Sequence, residues 1–153
     1  MTSRDELDEV SSPETPCPRT ILNGFFSVWS EYYDLDKALT YLHPDCRYCL
    51  YVDEDLLPFA GETIGREAIG VQMALMREQF EYVLFRPRLP FDDGETVRQQ
   101  VEFRYRHRAS GETITGTFRF VWTIQDGLIT SCEEFHDRAR IEAFVRLFAH
   151  GTD

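Results

Sequence analysis

The sequence predicts an α+β fold in which a bent antiparallel (mixed) sheet is wrapped on one side by three to four helices. Three observations carry this reading. Thr113 to Phe148 reads as strand, tight turn, strand and helix. Thr96 to Arg108 alternates apolar and polar side chains along its length, the period of a half-buried strand. Helix-spaced apolar residues fill the first half of the chain, so helices precede a run of strands, the order of segregated α+β packing. At 153 residues the chain is one domain with room for a single sizeable core.

Residues 1–18 are polar and acidic, with three prolines toward their end. They predict a flexible acidic tail ahead of a domain covering residues 19–150. Thr20 is the expected cap of a first helix, with Leu22, Phe25, Phe26, Trp29 and Tyr33 on one face. Leu35, Ala38, Leu39 and Leu42 predict a second, short helix stopped by Pro44. Arg47 to Val52 predicts the first strand, and Asp53 to Ile64, with Pro58 and Gly61, a long loop over a cavity mouth. Gly65 precedes a third helix carried by Ile69, Met73, Met76 and Phe80. Tyr82 to Arg88 predicts a short strand ended by Pro87 and Pro90.

In the long strand that follows, Val97, Val101, Phe103 and Tyr105 share one side, and Arg98, Gln100, Glu102, Arg104 and Arg106 share the other. Ser110-Gly111 turns the chain into a hairpin with arms Thr113 to Gln125 and Leu128 to about Asp137. Asp126-Gly127 between them suits a primed two-residue turn, which needs positive φ. Asp137 then caps a final helix whose apolar face is Ile141, Phe144, Val145 and Phe148.

Aromatic residues make up 14% of the chain, including 12 Phe, which suits a core or pocket built from flat side chains. A net charge of −11 repels phosphate backbones, and the arginines of Arg98 to Arg108 read as the exposed face of a strand, so no nucleic-acid partner is expected. No stretch approaches the length of a membrane span and the N-terminus lacks an apolar signal region, so no membrane is expected and the default compartment is the cytoplasm. Cys46-Arg47-Tyr48-Cys49 has the spacing of redox and zinc sites, but on a strand residues three apart point to opposite faces. Free thiols are expected, with no metal and no cofactor.

Three groups of stretches, in this order and spacing, resemble a known superfamily. They are Tyr33-Asp34 with Leu42-His43-Pro44-Asp45, then Leu57-Pro58-Phe59-Ala60-Gly61 with Gly65-Arg66-Glu67-Ala68-Ile69, and Asp126-Gly127-Leu128-Ile129 with Glu134-Phe135-His136-Asp137. From Ile21 to Phe148 the chain resembles the nuclear transport factor 2-like superfamily, in its SnoaL-like branch. The resemblance implies a cone-shaped α+β barrel with a deep pocket, usually a homodimer. The superfamily includes polyketide cyclases, ketosteroid isomerase, limonene epoxide hydrolase, scytalone dehydratase and non-catalytic domains, so the fold alone does not give the function.

The roles used by ketosteroid isomerase fall at Leu50, Phe26 and Arg119 or Phe120, none of which can serve. Glu134 matches one carboxylate of limonene epoxide hydrolase, and Tyr33-Asp34 matches a dyad of scytalone dehydratase whose histidine partners do not align. The candidate catalytic residues are therefore Glu134 and His136, a carboxylate and an imidazole two apart on one strand face, with Tyr48 as donor to a ligand carbonyl. Trp29, Tyr33, Leu50, Phe103 and Phe118 are the candidate pocket lining for a small hydrophobic ligand.

Two registers are open for the final strand. Counted from a plain two-residue turn, Arg119 faces Glu134, and both Glu134 and His136 join the polar face, where cross-strand charge pairs stabilise the sheet. The resemblance turns both into the pocket, which requires a β-bulge. Two functions follow: a cofactor-independent cyclase, isomerase, dehydratase or hydrolase acting on an apolar oxygenated ring compound, or a non-catalytic ligand-binding or dimeric scaffold domain.

Overall fold

Residues 17–53, 55, 57, 60–93 and 96–150 are described by the computed structural model of the chain. The expected tail, up to residue 16, and Pro58 of the expected loop lie outside them. Helix α1 (Pro18–Phe26) continues as a π-helical turn over Ser27–Glu31, and α2 (Leu35–Leu39) follows. Strands β1 (Leu42–Tyr51) and β2 (Gly61–Ile64) precede α3 (Arg66–Gln79). Then come β3 (Phe80–Pro87), β4 (Phe91–Asp93), β5 (Thr96–His107), β6 (Thr113–Gln125), β7 (Leu128–Phe135) and α4 (Arg138–His150).

The strands form one seven-stranded sheet in the order β2-β1-β7-β6-β5-β3, with β4 pairing β5 beside β3. All pairs are antiparallel except β1 with β7, which is parallel and makes the sheet mixed. The α+β architecture read from the sequence is the one observed. On the inner face of β5 and β6, Val97, Val101, Phe103, Phe118, Phe120 and Trp122 are buried. Arg98, Gln100 and Arg104 on the other side of β5 are exposed, as strand alternation requires.

The helices cover the inner face through aromatic contacts. Phe25 and Phe26 of α1 meet Trp122 edge-on at 5.8 and 5.6 Å, and Phe144 of α4 packs on Phe80 at 6.2 Å. Trp122 is 2% exposed, and its indole N–H donates to Gln99 Oε1 at 3.2 Å. The Gln99 amide in turn donates to the Arg88 carbonyl at 2.8 Å. This buried glutamine ties the β3–β4 corner, where Pro87 and Pro90 interrupt the strand, to the core. Gly70 lets α3 lie against α2, since a Cβ there would sit 2.9 Å from Leu39 Cδ1.

Several boundaries differ from expectation. Helix α1 starts at Pro18 with Cys17 as N-cap, not at a Thr20 cap, because proline suits the first helical position. Leu42 is the first residue of β1 rather than the end of a helix, and Pro44 lies inside that strand. Proline is tolerated there because residues 43–46 fall in a register shift of the β1–β7 ladder. In this segment His43 Nδ1 accepts from the Asp45 amide at 2.9 Å. The long loop contains β2, and Phe80 begins β3 rather than ending α3. β4 was not anticipated.

The hairpin turn carries two residues in the left-handed region, Asp126 at φ 53° and Gly127 at φ 80°. Gly127→Ala puts a Cβ into that region and should destabilise the protein by about 1 kcal/mol. A lowered denaturant midpoint with an unchanged slope is the expected result. An unchanged midpoint would show that the turn does not hold this conformation.

Candidate active site

Strand β7 positions the site through one irregularity. Ile124 pairs with Ile129, but Thr123 pairs with Ser131, so Thr130 is an extra residue in the ladder. Its hydroxyl donates to the Thr123 carbonyl at 3.2 Å. Beyond this bulge Phe120 faces Glu134 and Arg119 faces Phe135, one place off the plain register. Ile129 is buried before the bulge, and Cys132 and Glu134 are buried after it. Glu133 and Phe135 take the outer face, where Glu133 accepts from the Tyr51 hydroxyl at 2.7 Å and Phe135 stacks on Tyr51 at 4.7 Å.

Glu134 is 4% exposed and both carboxyl oxygens have partners. The Tyr48 hydroxyl of β1 donates to Oε1 at 2.6 Å. His136 Nε2 lies 2.6 Å from Oε2, a distance spanned by one shared proton. The imidazole is fixed by rings: it stacks on Phe118 at 4.4 Å and meets Phe103 edge-on at 5.8 Å. Tyr48 and Glu134 come from the only parallel pair of the described strands, in which Tyr48 faces Cys132 and Leu50 faces Glu134.

Glu134 lies in the wall between two apolar chambers of about 60 and 50 Å³. Met76, Tyr82 and Tyr105 share that wall with it. The first chamber is lined by Trp29, Tyr48, Phe118, Cys46 and Cys132 among others, and the second by Leu50, His136 and residues of α4. Glu134 is the single carboxylate among the lining residues of either. Phe103 is buried against His136, and both line a further pocket of about 120 Å³ with Gly116 and Arg140. Tyr33 is not in the chambers: it is 55% exposed. The helix ends at the π-helical turn and Tyr33 adopts φ 57°, so the face counted through Trp29 does not reach it.

Tyr82, Tyr105 and Met76 at the shared wall were not named as pocket residues from the sequence. Tyr82 and Tyr105 are cross-strand partners stacked at 4.5 Å, and Tyr105 lies on the inner face of the β5 alternation, the signal that could have found it. Cys46 and Cys49 do point apart, Cys46 into the first chamber. No cluster of three or more metal-ligating side chains occurs among the described residues.

The interior holds its hydroxyls and thiols neutral. Burial, and then the charge of Glu134, push the Tyr48 hydroxyl well above its usual value. Burial does the same to Tyr82, helped by Glu134, and to Tyr105, helped by Tyr82. Burial raises Cys132 and pushes the Cys46 thiol up to about 11. Tyr48 therefore keeps its proton and donates it in a hydrogen bond to Glu134. A raised tyrosine pKa stabilises the fold below the unfolded value of about 10, and that stability is lost as pH rises toward the folded value. In a spectrophotometric titration Tyr48, Tyr82 and Tyr105 should stay protonated where a free tyrosine ionises and titrate only with alkaline unfolding. Ionisation of every tyrosine before any loss of structure would contradict this environment.

The family profile described as SnoaL-like domain matches residues 22–132. Among curated proteins no sequence matches the chain significantly. Solved structures share the fold at low identity. An NTF2-like protein from Burkholderia thailandensis is 19% identical with TM-score 0.73, over 85% of this chain and 98% of its own. TerC, crystallised with polyporic acid, is 19% identical with TM-score 0.71, over 83% and 96%. A protein with a ketosteroid isomerase-like fold from Catenulispora acidiphila, in complex with trimethylamine, is 14% identical with TM-score 0.69, over 86% and 95%. With its profile match, its bent mixed sheet and its helices on the inner face, the chain belongs to the SnoaL-like domain family.

Proposed function

We propose that this domain binds a small, largely apolar, oxygen-bearing ring compound in the inner chambers and shifts a proton on it without a cofactor. The observation that carries the reading is Glu134: one enclosed carboxylate, bonded to Tyr48 and His136, in the wall of two otherwise apolar chambers. An apolar cavity with a few convergent polar groups is the usual form of a small-molecule site. Support also comes from two structures of this fold whose names include a small molecule, polyporic acid and trimethylamine.

In this reading Glu134 removes a proton from a carbon next to a carbonyl and returns it elsewhere on the same molecule. Tyr48 turns its hydroxyl from Glu134 to the carbonyl oxygen as charge develops there. His136 holds the second carboxyl oxygen and keeps the group aimed. Chambers of this size hold only a few heavy atoms as they stand, so a ring must push the shared wall aside. Met73 and Met76, unbranched and flexible, line the first chamber and suit that adjustment.

A second reading is favoured by the completeness of the hydrogen bonding. Both oxygens of Glu134 are already satisfied, so the trio could serve only as a polar pin between β1 and β7 in a ligand-binding or scaffold domain. Glu134→Gln separates the two. The amide oxygen still accepts from Tyr48 and the amide nitrogen still donates to the imidazole, so the fold should survive. Proton transfer should fall by roughly a hundredfold or more, read as deuterium exchange into a panel of small cyclic ketones in heavy water. Exchange that is equal in wild type and variant supports the pin.

The domain is further proposed to pair with a second copy through the outer face of the sheet. There Phe135 is flanked by the Tyr51 ring and by the Arg119 guanidinium, 5.1 Å from its centroid. Light scattering should report a dimer, and a monomer at high micromolar concentration would remove this part of the reading.

A further inference from the structure

Arg77, in the last turn of α3, keeps its guanidinium in a cage of three rings. Its central carbon lies 3.4 Å from the Tyr33 centroid, 4.2 Å from Tyr82 and 5.2 Å from Trp29. Among the described residues no carboxylate pairs with this cation, and its Nη1 is buried without a hydrogen-bond partner. In a chain of net charge −11, an arginine enclosed without an anion is unexpected. Burial holds its pKa below the usual value, the direction expected when no carboxylate compensates desolvation.

The cage adjoins the chambers. Trp29 and Tyr82, two of the three rings around Arg77, also line the first chamber. Tyr82 and Tyr105, stacked at 4.5 Å, line both chambers with Glu134, and the Arg77 guanidinium lies over the Tyr82 ring at 4.2 Å. The outermost ring belongs to Tyr33, the residue that is half exposed and held at φ 57°. A non-glycine side chain in that backbone region is strained, and such residues cluster at active sites, ligand clamps and switch regions. Tyr33 is the most exposed of the three rings around Arg77.

We propose that Arg77 is the docking point for an acidic group on the ligand, a carboxylate or another oxyanion, with Tyr33 swinging aside to admit it. The apolar part of the same molecule fills the chamber next to Glu134. This rests on the chamber being a ligand site, as proposed above, and adds the charge and orientation of the ligand. The planar guanidinium offers paired N–H donors that fit a carboxylate, and the unmatched Nη1 supplies the first of them. Until an anion arrives, the rings compensate the charge through their faces.

The test uses two probes of one shape, benzoate and benzamide, titrated into the full chain and followed by NMR chemical-shift changes. Benzoate should bind about tenfold tighter than benzamide or better, and the preference should shrink as salt is added. Arg77→Gln should bring benzoate down to the level of benzamide and leave benzamide unchanged. Equal affinity of the two probes for the wild-type protein overturns the proposal while leaving the chamber reading intact. A benzoate preference that survives in a folded Arg77→Gln variant also overturns it. If neither probe binds the wild type up to its solubility, both readings fall. Should Arg77→Gln fail to fold, the wild-type comparison and its salt dependence still decide the matter.

Discussion

A single additional residue in β7 determines which chemistry the interior contains. Side chains on a strand alternate with period two, so one extra residue moves every later side chain to the opposite face. Thr130 is that residue. Without it Ser131, Glu133 and Phe135 would face the helices, and Glu134 would be one more charge on a solvated sheet. With it, Cys132, Glu134 and His136 enter the core while Glu133 and Phe135 leave. The Thr130 hydroxyl, bonded back to the Thr123 carbonyl, gives the local distortion a partner of its own. The position of the candidate site is therefore a matter of strand parity before it is a matter of residue type.

The parity produces two tyrosine–glutamate pairs across the same parallel strands, and their energetics differ. Outside, Tyr51 donates to Glu133 at 2.7 Å; inside, Tyr48 donates to Glu134 at 2.6 Å. The lengths are nearly equal, so geometry does not separate them. The outer pair competes with water, as does the exposed ion pair that Arg47 makes with the same Glu133 at 3.7 Å. Exposed pairs of that kind contribute about 0–1 kcal/mol. The inner carboxyl has given up its water, so losing either partner would leave a buried group unsatisfied at a cost of about 1–3 kcal/mol or more. Evolving such a group on a strand that already has a solvent-facing glutamate is hard to account for by sheet stability, since an apolar residue would pack there at lower cost. That asymmetry favours a use for the charge over a merely structural role.

Most of the fold was legible because its signals are local. The Asp126-Gly127 turn, the thirteen-residue alternation of β6 and the capped final helix are each written in a few adjacent residues. Asp137 does accept from the Arg140 amide at the start of α4. Register between β6 and β7 was not legible from the turn, because the bulge depends on packing from strands far apart in sequence. Its trace exists nonetheless: Ile129 and Cys132, three apart, are both inward, a spacing no regular strand allows. Leu42 was misread for a related reason. Its spacing from Ala38 and Leu39 is helical, yet its amide neighbourhood belongs to a strand, and only the Ile129 pairing across the sheet overrides the local pattern. Tyr33 was placed on the pocket face by helical counting, which the π-helical turn invalidates.

The same interior also has a direction. Glu134 shares the chamber walls with the stacked rings of Tyr82 and Tyr105, in contact at 4.5 Å, and the Arg77 guanidinium lies over Tyr82 at 4.2 Å. Charged groups beside apolar rings and little water act on a ligand more strongly than the same charges would in solvent. A neutral ring entering alone has little reason to prefer one orientation. On the proposed reading a ring bearing an oxyanion has a strong one, because Glu134 repels the charged end and Arg77 attracts it. The uncharged end is then left beside Glu134 and Tyr48, which is where a carbon acid would have to sit for proton transfer. If both proposals hold, binding at the tyrosine cage and chemistry at the bulged strand are parts of one arrangement, in which the cation supplies the orientation that the apolar walls cannot.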